Sequence, residues 1–80
     1  MENFDEIMKG KAIHITTSGK YTGWYEIAYP TNEQFMILRE LKNRAKYIDE
    51  KMDFERIDGK LVYIKISDIK GIEVVGNKIR

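Results

Sequence analysis

The 80-residue chain contains no cysteine, one proline, one histidine and one tryptophan. Without cysteine it has no disulfide, no thiolate metal ligand and no thiol nucleophile. The lone histidine, His14, leaves no imidazole pair for a transition metal, and Ser18 and Ser67 sit in turn-forming sequence with no base nearby. No nucleophile–base set is legible, so no catalytic residue is assigned and the chain is read as non-enzymatic. His14 itself is read as a strand residue rather than a general base.

Long apolar runs are also missing. No window approaches the roughly 18 apolar residues of a membrane helix. The opening "MENFDEIMKGK" carries acids where a secretory signal carries positive charge. These features predict a cytoplasmic protein without membrane contact. An excess of one charge is lacking too: 14 basic residues face 13 acidic ones, which argues against a general attraction to nucleic acid or anionic lipid. Residues 1–59 hold nine basic and eleven acidic side chains, a balance of −2, and residues 60–80 hold five and two, a balance of +3. That makes the end of the chain mildly basic and no more.

Glycine-rich phosphate loops fail on spacing, since "GKYTG" fits neither the Walker nor the dinucleotide pattern. The acids Asp49, Glu50, Asp53, Glu55 and Asp58 are interleaved with Lys51 and Arg56 and lack the alternating pattern of a calcium loop. They read as a solvated segment; no metal or cofactor is expected. So short a chain hides only about 60% of its surface on folding, and small domains supplement such cores with a metal, a disulfide or a second subunit. The first two have no residues here, which leaves association with another chain.

What is present is a sequence of periodic segments. Asn3 and Glu6 form a cap pair before Phe4, Ile7 and Met8, giving a short helix or an arm that Gly10 ends. "KAIHITT" alternates as a first strand, with Ile13 and Ile15 on one face and Ala12 and His14 on the other. After Ser18-Gly19 a second strand runs from Tyr21 to Tyr29, placing Tyr25 and Ile27 opposite Trp24, Glu26 and Ala28, with Gly23 marking a bulge or a close backbone approach. Pro30 closes it. Thr31 with Gln34, or Asn32, then caps an amphipathic helix whose stripe is Phe35, Leu38, Leu41, Ala45 and Ile48. "DFERIDGKLVYIKI" reads as a hairpin around Asp58-Gly59, "SDIKG" as a turn, "GIEVV" as a last strand and residues 76–80 as a tail.

The expected architecture is a single α+β domain over residues 1–80: a mostly antiparallel sheet of about five strands, in the order β-β-α-β-β-β, packed on that one helix. One helix covers one sheet face. The other face then exposes Trp24, Tyr63, His14, Leu61 and Ala28, a patch of the kind that marks a protein interface or a homodimer contact. A second reading is nucleic-acid binding or transcriptional regulation by Arg39, Lys42, Arg44 and Lys46 on the exposed helix face. A third is capture of a small nucleotide, with aromatics stacking on the base and Lys20 or Arg39 near phosphate.

The segment "IDGKLVYIKISDIKGIEV", following a strand pair and an amphipathic helix, resembles in layout the small accessory proteins of phages and mobile elements in low-GC Gram-positive bacteria. That resemblance spans residues 11–75 and implies a small protein that acts by binding, such as an inhibitor of a host enzyme or defence system. It carries no functional residue over.

Overall fold

Alternation in Ala12–Thr17 produces β1, in which Ile13 and Ile15 are buried on one face while Ala12 and His14 point to the other. Before it, α1 is a single helical segment, Phe4–Met8, and Gly10 turns the chain into β1 from a left-handed φ of 76° that favours glycine. The structure, a computed structural model, describes residues 4–45, 52–77 and 79. The cap expected at Asn3 lies outside them, as do Lys46 and the acids Asp49 and Glu50. After the Ser18-Gly19 turn, β2 (Gly23–Tyr29) pairs antiparallel with β1, Ile13 opposite Tyr25 and His14 opposite Trp24. Gly23 enters that ladder opposite Ile15 without a register shift.

The expected main helix is a strand. β3 spans Phe35–Asn43 and pairs antiparallel with β2 on one side and β4 (Phe54–Lys65) on the other. Asn32 does cap backbone donors, its Oδ1 accepting from the N–H groups of Gln34 and Phe35 at 2.8 Å each, but the chain it caps then extends. Cap chemistry and turn chemistry use the same side-chain bond. The helical stripe is likewise an overlay of two strand patterns: Met36 and Leu38 are buried in one cluster, and Leu41 in a second cluster that register places on the opposite face. A strand that feeds cores on both faces breaks period-two alternation and leaves steps of three. Burial in the middle of the sheet then overrides the helix preference of Met, Leu, Arg, Glu and Lys.

The expected hairpin at Asp58-Gly59 is also absent, because both of its supposed arms pair with β3. Leu61 to Lys65 lie opposite Arg39 to Phe35, and Phe54 to Arg56 opposite Asn43 to Leu41. Residues 57–60 form the register jump between the two halves. The connection from β3 to β4 is tied by Asn43, whose Oδ1 accepts from the N–H groups of Ala45 and Asp53. A 3-10 turn, Ile66–Asp68, leads into β5 (Ile69–Gly76), which returns to pair with β1.

The strand order is β4-β3-β2-β1-β5, antiparallel throughout. At one end the two edge strands approach each other: Phe54, which opens β4, makes an isolated parallel bridge with Ile79, and its ring lies near Gly76 at the end of β5. No amphipathic helix is packed against the sheet among the described residues. The larger core joins Ile13, Ile15, Tyr25, Met36, Leu38 and Ile64, with Met8 of α1 against it. The smaller one joins Ala12, Leu41 and Phe54, with Trp24, Val75 and Ile79 around it.

Candidate functional site

Antiparallel register brings three residues from three strands into one row: Glu26 of β2 lies opposite Arg39 of β3, which lies opposite Leu61 of β4. Period two puts Tyr63 on the same face as Leu61, and the pair Leu41–Arg56 adds Arg56 to it. This is the face that also carries His14 and Trp24. Glu26 occupies a polar slot of the β2 alternation, yet it is only 5% exposed. Both of its oxygens are satisfied. Oε1 accepts from Arg56 Nε at 2.6 Å and from Arg39 Nη1 at 3.4 Å, and Oε2 accepts from Arg56 Nη2 at 3.0 Å.

A carboxylate so removed from water is tolerable only when paired and hydrogen-bonded, and the forked guanidinium of Arg56 matches it with two donors. The bond to Glu26 holds the Arg56 guanidinium above its already high ordinary pKa, so it stays charged. The burial is unequal. The carboxylate lies beneath, while the side chains of Arg39 and Arg56 keep 35% and 42% of their surface in solvent. Sequence reasoning passed over Glu26 and Arg56; the available signal was a lone acid in the middle of an otherwise aromatic and apolar strand.

Of the residues expected to form a partner surface, the structure separates supports from exposed groups. Trp24 is half-buried, its ring 5.9 Å from that of His14 and 6.1 Å from that of Phe54, so it closes the smaller core. His14 is half-buried as well and lies opposite Glu73 of β5. Leu61 and Tyr63 lie on the edge strand, 42% and 59% exposed. Phe35 meets Tyr63 edge-on at 6.4 Å. Ala28 falls at the irregularity between Ile27 and Tyr29 and lines a separate shallow cavity of about 260 Å³ with Pro30, Glu6 and Lys9.

The basic residues expected to share a helix face do not share one, since their segment is β3 and the residues that follow it. Arg39 is committed to Glu26, Arg44 pairs with Glu55, and Lys42 is exposed opposite Glu55 in the ladder. Lys46 lies outside the described residues. Lys20 sits in the β1–β2 loop with its ammonium 5.5 Å from the Tyr21 ring, and Arg39 lies in β3. Among the described residues no cluster of His, Asp or Glu has the geometry of a metal site, and no helix is long and apolar enough to cross a membrane.

Comparison with models of protein families, with curated proteins and with solved structures returned no match.

Proposed function

We propose that the protein is a small non-enzymatic binding protein that acts on another protein through the sheet face of Leu61 and Tyr63, as a phage-type accessory protein or inhibitor would. The observation that carries this reading is the exposure of those two side chains, alternate residues of an edge strand that pairs with β3 alone along that half. Exposed tyrosine beside guanidinium groups is the composition of binding hot spots. An edge strand left so exposed is a liability unless something covers it. A homodimer is the same reading with a second copy as the partner.

The test is affinity capture with the tagged full chain from a lysate of a low-GC Gram-positive bacterium, with and without nuclease. Wild type is compared with the double variant Leu61→Ser/Tyr63→Ser, and size-exclusion chromatography records self-association of both. One stoichiometric protein that survives nuclease and is lost with the double variant supports the reading, as does a dimer lost in the same way. Retention unaffected by the double substitution contradicts it. So does loss of all retained material on nuclease treatment.

A further inference from the structure

The Glu26–Arg39–Arg56 cluster sums to one net positive charge, and its geometry directs that charge outward. One carboxylate, 5% exposed, lies beneath two guanidiniums that are each about a third or more exposed. Five N–H donors belong to each guanidinium. Arg39 commits one nitrogen, Nη1, to Glu26, and Arg56 commits Nε and Nη2. Among the described residues no other acceptor meets the remaining donors. Leu61 is the cross-strand neighbour of Arg39, and Tyr63 follows on the same face.

The geometry points to a docking site for an acidic peptide segment: an Asp or Glu side chain of a protein partner is received by the outward N–H groups of Arg39 and Arg56, and an adjacent large apolar side chain lies against Leu61 and Tyr63. This rests on the partner-binding reading above and adds the chemistry of the partner. Charge complementarity selects an acid. The apolar flank selects a peptide over a nucleic acid, because a single net positive charge neutralises too few phosphates to hold a polyanion at physiological salt. Glu26 serves as a positioning residue, fixing Arg56 through two bonds so that little side-chain freedom remains to be lost on binding.

The probe is the blocked peptide acetyl-Asp-Leu-Phe-amide, titrated into the isotope-labelled full chain while the Nε–H signals of Arg39 and Arg56 and the amides of Leu61 and Tyr63 are followed by NMR. Its Asn counterpart, inorganic phosphate and a short oligothymidylate are titrated alongside. The expected result is a saturable shift of those signals with the Asp peptide, about tenfold weaker binding of the Asn peptide, and the same loss in Arg39→Gln. Arg39 is the variant of choice because Arg56 alone keeps both oxygens of Glu26 bonded; unchanged amide signals of Ile13 and Leu38 verify its fold. Should Arg39→Gln fail to fold, Leu61→Ser takes its place and is expected to weaken both peptides alike. Equal binding of the Asp and Asn peptides, stronger shifts from phosphate or oligothymidylate, or no shift at all overturns the inference. The protein-binding reading survives that outcome if Leu61→Ser/Tyr63→Ser still abolishes capture of a partner, and falls with it if capture is unaffected.

Discussion

Arg56 and Glu26 are 30 residues apart in sequence and joined by two hydrogen bonds, at 2.6 and 3.0 Å, that pass over the strand between them. Because β3 separates β2 from β4 in the sheet, this bond ties two strands that share no ladder. It fixes the second half of the sheet face at the point where β4 changes register, and it does so with a charge held out of water.

Removing the carboxylate therefore leaves two guanidiniums facing each other over a buried amide. Glu26→Gln is expected to destabilise the fold by about 2 kcal/mol, less than the 3–5 typical of breaking a buried pair because both arginines keep part of their solvation. Urea denaturation followed by circular dichroism measures it. The triple variant Glu26→Leu/Arg39→Met/Arg56→Met, which removes every charge together, is expected to regain most of that loss.

Trp24 is predicted to matter for stability before it matters for binding. Trp24→Ala removes the ring between His14 and Phe54 and should cost about 2 kcal/mol, below the range for a fully buried tryptophan because this one is half-buried. Trp24→Phe keeps an aromatic ring there and is expected to lose under about 1 kcal/mol and no partner affinity. Comparing denaturation midpoints with capture efficiency separates the two effects.

The placement of His14 and Trp24 on one face was legible in the sequence because β1 and β2 alternate regularly over Ile13–Ile15 and Gly23–Tyr25. The segment after Asn32 was not, for a physical reason. Met36 and Leu38 bury toward one core and Leu41 toward the other, so the buried positions step by two and then by three, and a helix absorbs the same residues. The run Phe35-Met36-Ile37-Leu38, four apolar residues in succession, was the signal for a central strand. Asp58-Gly59 misled in the opposite sense, since a dipeptide suited to a hairpin turn falls where one strand jumps register against β3. Glu26 was assigned to its face by alternation, but burial of its carboxylate depends on Arg56, which no local pattern connects to it.

The packing of Phe54 near the end of β5 gives a contrast between two glycines of that strand. A Cβ on Gly76 would stand 3.2 and 3.3 Å from ring carbons of Phe54 and 3.6 Å from the Ala12 methyl. Phe54 is buried and would have to yield by a few tenths of an ångström, so Gly76→Ala is expected to destabilise by about 1–2 kcal/mol and to change the fluorescence of Trp24. Gly71, whose Cβ would meet open space, should accept alanine within about 0.5 kcal/mol. Thermal and urea unfolding of the two variants provide the comparison.

Alkaline pH should weaken the larger core through Tyr25. Its hydroxyl donates to the Tyr21 carbonyl at 2.6 Å, and burial first, then the charges of Glu40 and Tyr21, raise its pKa above the ordinary 10.0. A phenol that stays protonated longer in the folded state contributes stability that is complete below the unfolded value and is lost as pH rises through the folded one. Tyr25→Phe is expected to be less stable by about 1 kcal/mol at neutral pH, with the gap to wild type closing above about pH 10. The difference between the two proteins across that range cancels the titration of the other tyrosines and the lysines.

Backbone carbon chemical shifts over Phe35–Asn43, together with cross-strand proton contacts from Arg39, decide whether β3 is a strand. Extended shifts throughout are expected, with Arg39 touching both Glu26 and Leu61. Helical shifts in that segment would contradict this, because the row of Glu26, Arg39 and Leu61 exists only if β3 is a strand, and the proposed binding face would be lost with it.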